Sequence, residues 1–82
     1  MKMQLPETYQ VYFWDVDWDH LKNHTEQYRT FIIARLADKG DIKQIKWLKS
    51  YFTAMEILQS VTKFSFVSAK TKNFWKQYVK NI

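Results

Sequence analysis

Apolar residues recur along this chain at two different spacings. Tyr28, Phe31, Ile32, Arg35 and Leu36 are separated by three and four positions, which predicts an amphipathic helix over about 25–39. Gly40, the only glycine, follows at the place where a helix sets its left-handed C-terminal residue. Asp41 opens the next helix, with Gln44 in the reciprocal position of a capping box. Its predicted buried stripe is Ile42, Ile45, Leu48 and Phe52, with Lys43, Lys46 and Lys49 lying off it, and Tyr51-Phe52 closes it. A second box, Thr53 with Glu56, precedes Ile57, Leu58 and Val61 and predicts a helix ending near Thr62. Phe64-Ser65-Phe66-Val67 alternates as a short extended turn able to drop Phe64 and Phe66, or else Val67, into a core. Ser68 is a further N-cap. Beyond it Phe74, Trp75, Tyr78, Val79 and Ile82 share one helical face, with Lys72, Lys76 and Lys80 opposite.

The N-terminal pattern has period two instead. Trp14, Val16 and Trp18 alternate with Asp15, Asp17 and Asp19, which predicts an extended segment with an aromatic and an acidic face. No partner strand is in sight, so an arm lying along a helical bundle is expected. The fold expected is all-α: one domain over 1–82, with an aromatic and acidic arm over 1–22 and a four-helix bundle over 25–82. Its last two helices would form a helix-turn-helix-like pair.

Composition narrows the class further. A chain of 82 residues has room for one core, and 15 aromatic side chains supply apolar area that a disordered segment would lack. The absence of cysteine removes disulfides and thiolate metal sites. No apolar run approaches the ~20 residues of a spanning helix. The first seven residues, Met1 to Glu7, lack the apolar stretch of a signal peptide. A cytoplasmic protein without a membrane partner is the expectation.

Charge is distributed unevenly. The net +5 divides into −2 over residues 1–41 and +7 over residues 42–82, where eight lysines face Glu56 alone. Such asymmetry suggests a C-terminal surface for a polyanion, usually nucleic acid, while a solubilising lysine coat gives the same count.

Candidate catalytic and metal chemistry fails on spacing. Asp15, Asp17, Asp19 and Glu26 occupy positions 1, 3, 5 and 12 of a calcium loop, but the sharp-turn position holds His20 where glycine is needed. His20 and His24 are i, i+4, yet Leu21 stands where a metalloprotease helix has glutamate. Asp15-Val16-Asp17 matches the acidic pair of a nucleotidyltransferase, without the Gly-Ser turn or sheet that such a site requires. No enzymatic activity, metal or cofactor is expected.

The C-terminal pair fits a binding function better. In a helix-turn-helix the second helix enters the major groove and uses its N-terminal residues on base edges. Lys70 and Lys72 can donate to guanine or phosphate, and Asn73 and Gln77 can pair with adenine. Lys63, Lys76 and Lys80 suit phosphates, and Ser68 and Thr71 can join through hydroxyls or the helix N-terminus. A plain amphipathic helix at the end of a bundle explains the same pattern. Tyr12, Trp14 and Trp18 are candidate anchors for a partner protein, with packing on their own core as the alternative.

Several stretches carry a resemblance. Phe13-Trp14-Asp15-Val16-Asp17, Arg29 to Arg35 with Gly40-Asp41, Trp47 to Tyr51, and Ser68 to Trp75 resemble a small bacterial domain family of unknown function, common in Bacteroidetes. Its members tend to be encoded beside abortive-infection nucleotidyltransferase toxins. The most specific part is Lys70-Thr71-x-Asn73-Phe74-Trp75; where the family usually has glycine after the tyrosine matching Tyr51, this chain has Phe52. The resemblance implies an antitoxin-like, non-enzymatic role, with double-stranded DNA and a cognate nucleotidyltransferase-type toxin as partners. A protein-only adaptor or inhibitor that grips the toxin through the aromatic arm is the alternative.

Overall fold

The computed structural model describes residues 4–81, so Ile82 of the expected apolar face and the first three residues of the expected arm lie outside it. Among the described residues all regular structure is helical. A 3-10 helix, Glu7–Phe13, is followed by α1 (Trp18–Asn23), α2 (Arg29–Lys39), α3 (Ile42–Tyr51), α4 (Ala54–Lys63) and α5 (Ala69–Lys80). The four expected helices correspond to α2–α5.

Side-chain caps fix the starts of α3, α4 and α5, whereas Tyr28 at the start of α2 makes no capping hydrogen bond. Asp41 and Gln44 form the full box at α3, with the Asp41 N–H donating to Gln44 Oε1 at 2.7 Å. Thr53 accepts from the Glu56 N–H at α4, but Glu56 does not reach back; its carboxylate takes Arg29 instead, with Nε at 2.6 Å. At α5 the Ser68 hydroxyl accepts from the Thr71 N–H at 3.2 Å.

The N-terminal segment corrects the reading of an extended arm. Without a neighbouring strand the backbone must satisfy its groups locally, and it does so in 3-10 and turn geometry: Tyr9 N–H donates to the Pro6 carbonyl and Val16 N–H to that of Phe13. The alternating apolar residues therefore share no face. Trp18 is in the core, Val16 is half-buried, and Trp14 is 66% exposed.

The helix α2 is the centre of the fold. Its residues Ile32 to Ala37 are all buried, and it packs against the 3-10 helix, α3 and α4, while α5 packs on α4. Phe13, Trp18, Leu21, Leu48, Phe52, Ile57, Val61, Val67 and Trp75 complete one core. Val67, not Phe66, is the loop residue that plugs it. One side chain of the expected α3 stripe faces outward. Ile42 is 66% exposed, because the α3 stripe runs instead through Gln44, Leu48 and Phe52.

Gly40 is not left-handed. With φ −75° and ψ 166° it is extended, and what excludes a side chain is space. A Cβ there would run into the Leu36 carbonyl oxygen and come within 2.7 Å of Gln44 Cβ.

Candidate nucleic-acid interface

The position of α5 is set from α2. Asp38, at the end of α2, is nearly buried, its side chain 4% exposed. One oxygen, Oδ1, accepts from the Ser68 N–H at 3.1 Å and from the Thr71 hydroxyl at 3.0 Å, and the Ser68 hydroxyl donates to Thr71 Oγ1 at 3.0 Å. Burial raises the Asp38 carboxyl, but these donors outweigh it and hold the group below its ordinary range. The positive end of the α5 dipole thus faces a carboxylate of the same chain. Ser68 and Thr71, expected to contact phosphate, have their hydroxyls committed to this internal network.

The rest of α5 divides into faces. Trp75 is fully buried, its indole N–H without a partner among the described residues, and Tyr78, Val79 and Lys72 are half-buried. Lys70, Asn73, Lys76, Gln77 and Lys80 face solvent. Lys70, Lys72, Asn73 and Lys76 line, with Leu58 and Thr62 of α4, an open groove of ≈ 610 Å³. Gln77 and Lys80 continue along the helix, and Lys63 stands exposed at the C-terminal end of α4. Phe74, expected in the core, is 52% exposed.

The ion pairs explain why the charge asymmetry survives folding. All eight carboxylates have a partner within the chain. Glu7 takes Lys22 and the Trp18 indole, Asp19 also takes Lys22, Asp15 takes Arg35, and Glu26 and Glu56 take Arg29. Asp17 and Asp41 cap helices, and Asp38 caps α5 beside Lys39. The paired cations, Lys22, Arg29, Arg35 and Lys39, all belong to the first 41 residues. Among the described residues none of the eight lysines from Lys43 to Lys80 has a carboxylate in ion-pair range.

Arg35 fastens the N-terminal segment. Its guanidinium holds both oxygens of Asp15, at 2.8 and 3.0 Å, and donates to the Tyr12 carbonyl at 3.0 Å. The rings of Trp14, Phe31 and Phe66 surround it at 4.9 to 5.2 Å. Hydrogen bonding from Arg35 holds the Asp15 carboxyl below its ordinary range. Of the expected partner anchors, Trp18 is corrected to a core residue whose indole donates to Glu7 Oε2 at 2.9 Å, and Tyr12 is half-buried, donating to Gln44 Oε1. Only Trp14 stands on the surface. His20 and His24 stack at 4.3 Å, with His20 Nε2 2.8 Å from the Tyr28 hydroxyl. Among the described residues no three His, Asp or Glu side chains converge on a point that could hold a metal, and no helix is long and apolar enough to cross a membrane.

Two residues that organise this surface were only partly visible in the chain. Arg35 sits on an apolar stripe, a signal of a buried ion pair that names no partner. Asp38 gives no local signal, since its partners lie thirty and thirty-three residues away.

A family of unknown function, DUF6922, matches residues 9–61, from the 3-10 helix through most of α4 and short of α5. No curated protein and no solved structure matches the chain. The chain belongs to the DUF6922 family.

Proposed function

We propose that this DUF6922 chain is a non-enzymatic, DNA-binding regulator of the antitoxin kind, with α5 as its contact helix in a helix-turn-helix-like pair with α4. The observation that supports it is the pairing pattern. Every Asp and Glu side chain is satisfied internally, while among the described residues the lysines of the second half are left without counter-charges. A surface of unpaired lysines alongside Asn73 and Gln77 suits a phosphate backbone with base edges beside it. The antitoxin-like role itself rests on the sequence resemblance.

Titration of duplex DNA at several salt concentrations tests this reading. If about five phosphates are neutralised, log affinity falls against log salt with a slope near −4 or −5. The double variant Lys76→Glu, Lys80→Glu should weaken binding regardless of sequence and reduce that slope by about 2. Absence of binding at low salt, or unchanged binding by the double variant, refutes it.

One observation favours a second reading, a protein partner. Trp14 and Phe66 stand exposed over the buried Arg35, and Trp is enriched in interface hot spots. Under that reading Trp14→Ala abolishes capture of a neighbouring nucleotidyltransferase-type toxin and leaves DNA binding intact.

A further inference from the structure

We infer that the seam between α3 and α5 is a stacking site for unpaired bases of a DNA strand, an inference that rests on the DNA-binding reading of α5 and adds a second contact mode to it. Phe74 carries the argument. Trp75 fills the core beneath α5, and the Phe74 ring meets it edge-on at 5.3 Å, yet Phe74 is still left 52% exposed. The Phe74 ring runs nearly parallel to that of Tyr78, at 25° and 6.3 Å between centroids. Lys49 of α3 places its ammonium 4.7 Å from the Tyr78 centroid. Two open grooves follow one another along this side of α5. One, of ≈ 360 Å³, is lined by Ile45, Lys70 and Phe74, and the next, of ≈ 520 Å³, by Lys49, Tyr51 and Tyr78. Asp38 also lines the first groove, with its carboxylate turned into the Ser68 and Thr71 hydrogen bonds.

This combination, aromatic faces interleaved with cations that lack counter-charges, is how proteins hold single strands: lysines follow the backbone while bases stack on rings. A duplex gains little from Phe74, because its bases already stack on one another. An acidic peptide would use Lys49 and Lys70 and leave the ring faces unused. The side of α5 that faces α4, with Lys72 and Lys76, shares only Lys70 with these grooves.

Binding of the full chain to three probes separates these cases: a twelve-residue thymidine strand, an abasic deoxyribose-phosphate strand of equal charge, and a duplex. Stacking predicts that the thymidine strand binds ~10-fold tighter than the abasic one. Phe74→Ala removes that preference and leaves duplex affinity unchanged, while Phe74→Tyr retains it. Thermal melting of both variants checks that they fold. Equal binding of the thymidine and abasic strands, or a preference that survives Phe74→Ala, overturns the inference. Duplex binding sensitive to Lys76→Glu, Lys80→Glu but without base preference overturns it and leaves the α5 reading standing. No binding to any probe at low salt overturns both.

Discussion

Removing the Asp38 carboxylate should loosen α5 more than any other single polar change, because that group joins the end of α2 to the first turn of α5. Asp38→Ala removes two charge-assisted acceptor contacts, from the Ser68 N–H at 3.1 Å and the Thr71 hydroxyl at 3.0 Å. A net hydrogen bond to a charged group contributes ~1.5–3 kcal/mol, and an N-terminal capping group ~1 kcal/mol. Ser68 is exposed and the Thr71 hydroxyl can turn, so part of this is recovered from water. The expected loss is about 2–3 kcal/mol, or roughly 10–20 °C in Tm for a domain of this size. Asp38→Asn keeps an acceptor without the charge and should lose about half as much. Urea unfolding followed by far-UV circular dichroism at pH 7 measures both, and hydrogen exchange should localise the loss to the first turn of α5. The sign with pH is also fixed. The folded-state pKa is lowered, so the contribution is complete above the ordinary carboxylate range and disappears as pH falls through the folded value. Asp38→Asn and the parent chain should therefore converge in acid. A loss below ~0.5 kcal/mol for Asp38→Ala, the level of an ordinary surface change, would refute the reasoning.

Gly40→Ala should destabilise by ~1–3 kcal/mol through overlap with Leu36 and Gln44 in spite of an ordinary φ, measurable by thermal melting. Trp18→Ala should cost ~3–5 kcal/mol as a core truncation, while Trp14→Ala should cost ~1 kcal/mol or less; comparable losses in urea titration would contradict their opposite burial. Glu7 and Asp15 are lowered by hydrogen bonds from Lys22 and Arg35, so their stabilisation, like that of Asp38, is lost as pH falls below about 4. Lys22 is raised by Glu7, so its share is lost only as the pH rises past the ordinary lysine range; denaturant midpoints from pH 2 to 11 should show a plateau falling at both ends.

Much of the helical fold was legible because caps are local. Asp41 with Gln44, Thr53 before Glu56, and Ser68 before Thr71 act within one turn, so a reading of neighbouring residues finds them. The same local reading failed between Tyr12 and Asp19. Alternation signals a strand only where another strand takes the backbone hydrogen bonds, and here none does. The expected start of α2 at about 25 also gave way to Arg29, with Thr25 to Tyr28 in turns. On the candidate interface, the lysines of α5 were legible as residue types. The exposure of Phe74 was not, since a helix of one-sided aromatic spacing gives no sign of how wide its buried stripe is.

The chain alone therefore determined where α3, α4 and α5 begin, that the second half carries +7, and which residue types line the last helix. Tertiary structure decided how that charge is used. It paired Arg35 with Asp15 across twenty residues and Arg29 with Glu56 across twenty-seven, and turned Asp38 onto α5. It also buried Trp18 while leaving Trp14 and Phe74 in solvent. The physical reason is range. A cap or a periodic stripe is satisfied within a few residues, whereas an ion pair or a buried ring needs a neighbour that only the packing of α2 against α3, α4 and the N-terminal segment brings within a few ångströms.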